Sequence, residues 1–284
     1  MRKIYSSIVA ALLCLAAFAQ EPVSDALPFI QIDQNPASVA MGSSRIHSAA
    51  SVFLDDFNFA GGVTFQNYMP KLDGTSYIGA GAAGKYGDLG FSLSFVRGSG
   101  EEIDEYNFTP SESLINLGAA YNLGLFALGV NVKLAKEQVL SNHQNSAVAA
   151  DLFASARFGA FDVEGGISSI GQKVKSQSTG SFSLPTAASL SGCYSAGEEH
   201  HISARARADV FFSGGISAGL GVEYAWNGQI FARTGYHYGG NSPVPSFASA
   251  GLGLHIADFN LNAAYLFASD VLANSFAVSF GVSF

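Results

Sequence analysis

The 284-residue chain is short of cysteine, of charge and of long apolar runs, and each shortage excludes something. It has two cysteines, Cys14 and Cys193, and Cys14 falls in the first twenty residues, so the rest of the chain cannot close a disulfide within itself. Charged residues make up only 13%, where a water-soluble domain carries roughly 25%. The net charge of −8 argues against nucleic acid as a partner. After residue 20 no apolar stretch approaches the ~20 residues of a membrane helix. G-x-S-x-G occurs once, at Gly215 to Gly219, but inside the alternating pattern of 215–226 rather than at a strand-to-helix turn, and no H-E-x-x-H pair occurs, so the sequence offers no nucleophile elbow of a serine hydrolase and no zinc-protease motif. No enzyme activity, cofactor or metal is expected.

What is present begins with a leader. Arg2 and Lys3 form a positive start, Ile8 to Phe18 an apolar stretch, and Ala17-Phe18-Ala19 a small-residue cleavage site. Residues 1–19 therefore read as a signal peptide. Leu13 stands where a lipoprotein signal needs a small residue before Cys14, so no lipid anchor is expected.

The whole chain is 48% hydrophobic, with 32 Gly and 23 Phe, and beyond the leader its apolar residues recur at every second position. At the C-terminus Phe276, Val278, Phe280, Val282 and Phe284 alternate with Ser275, Ala277, Ser279, Gly281 and Ser283. Leu89, Phe91, Leu93 and Phe95 alternate with small residues in the same way, as do Phe126, Leu128, Val130, Val132 and Leu134. This pattern predicts fourteen strands, near 61–69, 76–86, 88–97, 112–121, 125–135, 146–158, 161–169, 186–195, 200–212, 215–226, 229–238, 247–256, 258–267 and 274–284. Most are about 9–11 residues, the length a tilted strand needs to cross a bilayer.

Connections alternate between short turns (86–88, 122–124, 159–160, 195–199, 227–228, 257–258) and longer loops (98–111, 136–145, 170–185, 239–246, 268–273), with only the turn at 213–215 out of step. Outer-membrane barrels have short periplasmic turns and long external loops, whereas a sandwich has no reason to alternate. Tyr86, Tyr121, Tyr194, Tyr224 and Trp226 at strand ends suit an interfacial girdle. The expected fold is all-β: a transmembrane antiparallel up-and-down barrel over 60–284, integral to the outer membrane and bathed in its lipid. Residues 20–59, small and polar with weak helical character from Ala37 to Ala50, read as a lumen plug or hatch, or as a periplasmic arm.

Strand charges fall opposite the apolar stripe. Lys133, Asp151, Arg157, Arg205, Arg207, Asp209, Glu223 and Arg233 should line the lumen, since a charge at the lipid midplane costs roughly 2–4 kcal/mol. They read either as a polar channel or plug-binding surface, or as ion pairs that fill the lumen. His237 and His255 also face inward on neighbouring strands and could approach one another, while the sequential His200 and His201 point to opposite faces. The loop at 98–111 holds Glu101, Glu102, Asp104 and Glu105 beside Tyr106 and Phe108, a candidate external binding face or a solvated acidic turn.

Several segments resemble the PorV/PorQ family, relatives of the fatty-acid transporter FadL. These are LPFIQIDQNPASVAMGSSRI at the start, the strand with Gly129, Asn131 and Lys133, the run with Asp151, and the strands with Glu223, Tyr224, Arg233, Gly235 and Tyr236. Family members carry Asn-Pro-Ala-Gly before the barrel, where this chain reads Asn58-Phe59-Ala60-Gly61. The resemblance implies a fourteen-stranded barrel. It also implies a part in type IX secretion, binding exported protein cargo and passing it to surface-attachment components. The alternatives are a FadL-like channel for hydrophobic small molecules, which needs an apolar lumen pocket and a way through the wall, and a structural barrel without transport.

Overall fold

The computed structural model describes residues 25–68, 75–104, 107–141, 143–176, 180–267, 269 and 272–284. The leader at 1–19, Glu105 and Tyr106 lie outside these residues.

Among the described residues sixteen strands follow one another: β1 (Phe59–Tyr68), β2 (Thr75–Tyr86), β3 (Leu89–Ser99), β4 (Ser111–Asn122), β5 (Phe126–Leu140), β6 (His143–Phe158), β7 (Phe161–Gly171), β8 (Val174–Ser176), β9 (Gly180–Phe182), β10 (Ala187–Ala196), β11 (His200–Phe211), β12 (Ile216–Trp226), β13 (Ile230–Tyr238), β14 (Phe247–Ile256), β15 (Phe259–Phe267) and β16 (Ser275–Ser283). Fourteen of them form a closed antiparallel barrel, each beside its neighbour in sequence, and β1 pairs with β16 to remove the last edge. The other two, β8 and β9, make a small ribbon in the loop between β7 and β10.

Period-two alternation sets the faces. On β5, Phe126, Leu128, Val130, Val132 and Leu134 are 41–48% exposed, while Ala127 and Asn131 between them are buried. Such a belt runs around the wall through Leu93, Leu117, Leu152, Leu220 and Phe280. Water would not tolerate a continuous apolar surface of this size, and a bilayer requires it. Tyr86, Tyr121, Tyr194, Tyr224 and Trp226 are exposed near the short turns, with Phe161 and Tyr194 paired at 4.8 Å. The last residue is tied in: the Phe284 carbonyl accepts the N–H groups of Asn58 and Phe59, and Phe284 N–H donates to Phe59 O at 2.9 Å.

Two expectations are corrected. Residues 136–145 are not a loop, because β5 and β6 stay paired out to Gln138 and Gln144, with a bulge before Leu140 and His143. The N-terminal segment has no continuous helix from Ala37 to Ala50. A one-turn helix, α1 (Pro36–Ala40), starts where the Asn35 side chain accepts the N–H groups of Ala37 and Ser38. It ends at Gly42, whose φ of +69° breaks the helical path, and a 3-10 turn follows at Ala50–Leu54.

Candidate functional site: the lumen

Residues 25–58 run inside the barrel, and missing side chains on the wall let them in. Met41 lies against Gly221 of β12 and Gly235 of β13, so closely that a Cβ on either glycine would collide with the Met41 backbone. Gly251 faces Ala40, Gly118 faces Ala49, and Gly129 faces Ala50 in the same manner. Side chains of the wall then bond this backbone directly. Asn131 Oδ1 accepts from Ala49 N–H at 3.1 Å, Ser155 donates to Ala50 O at 2.7 Å, and Ser191 donates to Ser44 O at 2.9 Å. Ser249 bridges Ala40 O and Gly42 N–H.

The charged residues expected on the lumen face divide into pairs. Lys133 meets Asp151 at 3.0 Å, and Asp151 also accepts the Ser169 N–H at 2.7 Å. Arg207 binds Asp209 at 2.9 Å along its own strand and donates to Arg45 O of the N-terminal segment at 2.8 Å. Arg233 meets Glu223 at 2.5 Å and Asn262 Oδ1 at 2.8 Å. Arg157 sits at the turn-side rim, holding Asp162 at 2.7 Å and reaching Asp56 and Leu54 O of the segment. Arg205, half-buried and facing inward, has no hydrogen-bond or ion-pair partner among the described residues.

Sequence reasoning did not find the segment's own polar residues. Arg45 bonds Asp55 at 2.5 Å, which holds the guanidinium above its ordinary value. Ser48 donates to Glu164 of β7. Asp33 faces His47 at 3.4 Å and accepts the Asn35 N–H at 2.9 Å. Burial alone would raise the Asp33 carboxyl, but the facing His47 and these hydrogen bonds hold it below its ordinary value.

The two ends of the lumen differ. Toward the long loops the segment packs against the wall: Val39 and Ala40 lie with Tyr68, Tyr77, Val96, Phe247, Leu266 and Leu272. Beside them Leu27, Phe29 and Ile30 pack with Ala135, Ala149, Val174 and Leu184. Toward the short turns Asn260, Asn262, Ser279 and Gly281 are only half-buried. Between lies a cavity of about 590 Å³, the size of a small-molecule site. The segment lines it with Ile32, Pro36, Ala37, Ile46 and His47, and the barrel contributes Lys133, Asp151, Phe153, Arg233 and Asn262. Its remaining side is the wall formed by β16, β1, β2 and β3. There Gly281, Gly62 and Gly81 stand directly opposite one another on one rung, all facing inward. The cavity accordingly borders outward-pointing residues as well, among them Val63, Ala80, Phe95 and Phe280.

His237 and His255 do not meet. Register pairs His237 with Phe247 and Ile230 with Leu254, so the two imidazoles lie at opposite ends of the wall, roughly 26 Å apart at ~3.3 Å per residue. His237 stacks on Phe247 at 5.1 Å. His200 is on the outer face beside Tyr224 Oη at 2.7 Å. Among the described residues no group of His, Cys, Asp and Glu is arranged to hold a metal through three such ligands. Of the acidic loop, Glu101, Glu102 and Asp104 are exposed, and Phe108 is half-buried where it bridges Ile103.

Known structures share this architecture. The Ralstonia pickettii toluene transporter TbuX superposes with a TM-score of 0.61 at 10% identity, covering 88% of this chain and 98% of that one. The CymD monoaromatic hydrocarbon channel gives 0.61 at 10% identity, with 88% and 97% covered. The P. putida toluene transporter TodX gives 0.57 at 13% identity, with 88% and 98% covered. The fold is that of these channels. At such identities the likeness is one of fold alone, and it does not single out the PorV/PorQ branch of the resemblance. No protein-family model and no curated protein sequence matches the chain.

Proposed function

We propose that the barrel is an outer-membrane channel for hydrophobic small molecules. The observation that carries this reading is the cavity beside the N-terminal segment, parted from the outer surface by a wall without inward side chains at Gly281, Gly62 and Gly81. An apolar solute held there has only backbone between itself and the hydrocarbon around the barrel. The solved barrels of the same fold include two toluene transporters and a monoaromatic hydrocarbon channel, which agrees with this reading. Exported-protein cargo rests on the PorV/PorQ resemblance, and the exposed acids of the 98–111 loop suit a solvated turn equally well.

The test is uptake of radiolabelled toluene by cells making the barrel, against cells carrying an empty vector. Faster uptake is expected, falling toward the control with Gly81→Leu, which puts a side chain on the thin rung. Uptake equal to the control for the unmodified barrel overturns the reading.

A further inference from the structure

The cavity has a polar side as well as a thin one, and the two stand next to each other. The rung of Gly281, Gly62 and Gly81 continues across the sheet: Gly81 pairs with Ser94 of β3, Ser94 with Asn116 of β4, and Asn116 with Lys133 of β5. Ser94, Asn116 and Lys133 all line the cavity. Neighbouring strands lie about 4.8 Å apart, so Asn116 stands roughly 10 Å from Gly81 along the rung. Facing them across the space, the segment offers Ile32, Pro36, Ala37 and Ile46. The cavity is therefore amphipathic, with apolar surface, bare backbone and a polar ledge within one molecule's length.

Two properties of the ledge decide what it can hold. The first is unmet hydrogen bonding. Asn116 Oδ1, Ser92 Oγ on β3 and Ser168 Oγ on β7 are buried with no hydrogen-bond partner among the described residues, and all three residues line the cavity. Buried polar groups of this kind are normally paired, so a ligand or water must complete them. A solute that displaces water there without replacing its hydrogen bonds loses affinity. The Asn116 amide turns about χ2 between two broad positions, which lets it present its oxygen to the cavity. The second property is charge balance. Every Lys and Arg of the lining, among the described residues, is already held by a carboxylate: Arg45 by Asp55 at 2.5 Å, Lys133 by Asp151 at 3.0 Å, Arg207 by Asp209 at 2.9 Å and Arg233 by Glu223 at 2.5 Å. An anionic head would find no free cation and would carry an extra charge out of water, which is costly.

We propose that the cavity takes a neutral apolar molecule carrying a hydroxyl group, an alcohol or phenol, with its oxygen on the ledge of Asn116 and Ser94 and its hydrocarbon against Gly81 and Gly62. A hydroxyl both donates and accepts, so it can give its proton to Asn116 Oδ1 and accept from a neighbouring donor. The proposal rests on the channel reading and narrows its solute from hydrophobic molecules in general to those with one neutral polar head.

Fluorine NMR titration of the purified full-length barrel in detergent tests it, with protein-free micelles as the reference for partitioning. The probes are para-fluorophenol, para-fluorotoluene and para-fluorobenzoate in neutral buffer, where the first two are uncharged and the third is an anion. Hydroxyl and methyl are close in size, and a merely apolar cavity would prefer the methyl compound by about fourfold or more, the worth of one buried CH₂ group. The ledge should cancel that preference: para-fluorophenol is expected to bind at least as tightly as para-fluorotoluene, and para-fluorobenzoate more weakly than either. Asn116→Leu removes the ledge oxygen, so it should shift the ratio about tenfold toward the methyl compound while para-fluorotoluene still binds. If that variant misfolds, the comparison of the three probes on the unmodified barrel still decides. Preference of the unmodified barrel for para-fluorotoluene, tightest binding of para-fluorobenzoate, or an unchanged ratio in folded Asn116→Leu overturns the proposal and leaves the channel reading standing. Saturable binding of none of the three overturns both.

Discussion

Asp33 shows how a single residue couples the inner segment to its surroundings. Its carboxylate faces His47 on the same segment, with Arg207 of β11 and His237 of β13 close enough to act on it electrostatically. A carboxyl held below its ordinary value contributes stability that is complete above the unfolded value, 3.8, and is lost as pH falls through the lower folded value. Docking of the segment should therefore loosen in acid below about pH 4, and Asp33→Asn should remove this part of the dependence. Protease cleavage within residues 25–58, followed against pH in the intact barrel, measures it. A cleavage profile identical in the two proteins would contradict the argument. None of this was legible in sequence, because Asp33 and His47 lie fourteen positions apart in a segment without periodicity. The lumen charges of the strands were legible, since alternation fixes their side of the sheet. Their partners were only partly so: Glu223 and Arg233 oppose each other across a turn, whereas Arg207 reaches a carbonyl at residue 45.

At the scale of the strand, alternation reports environment rather than pairing. It located all fourteen barrel strands because each crosses hydrocarbon on one side. It failed at 136–145, where Lys136, Glu137, Gln138 and Gln144 have water on both faces and the ladder continues regardless. The ribbon of β8 and β9 escaped for the same reason, at three residues a strand. Strand β5 can test this reading along its own length. Val130→Arg, in the middle of the lipid face, should cost roughly 2–4 kcal/mol, and Gln138→Arg, beyond the bilayer, roughly 0–1 kcal/mol. Reversible urea unfolding in lipid vesicles gives both values. Equal costs would place the membrane elsewhere on the barrel.

For the molecule as a whole, the sequence delivered the wall and left its contents open. Glycines in β5, β12, β13 and β14 look like places where a strand bends. Their use emerges only when three-dimensional proximity sets Met41 on Gly221 and Gly235, and Ala40 on Gly251. The histidine pair failed for a related reason: a shared face says nothing about height, and register alone gives height. If the segment is what closes the lumen, Gly235→Val should eject Met41 from its seat and open a path. Overpacking of this kind costs typically about 1–3 kcal/mol. Single-channel conductance in planar bilayers should rise, with the heat-modified gel mobility of a folded barrel retained. Unchanged conductance in a folded variant would locate the closure in the loops instead.

The seating of Met41 against bare backbone also constrains time. A chain drawn through a finished cylinder would have to slide its side chains past walls that leave no clearance at Gly221 and Gly235. The segment enters β1 directly, and β1 pairs with β16 at the seam. The expected order is therefore that the segment docks while the sheet is still open, and that pairing of β1 with β16 encloses it. A barrel closed around nothing would be a different molecule, with no route back except to unzip.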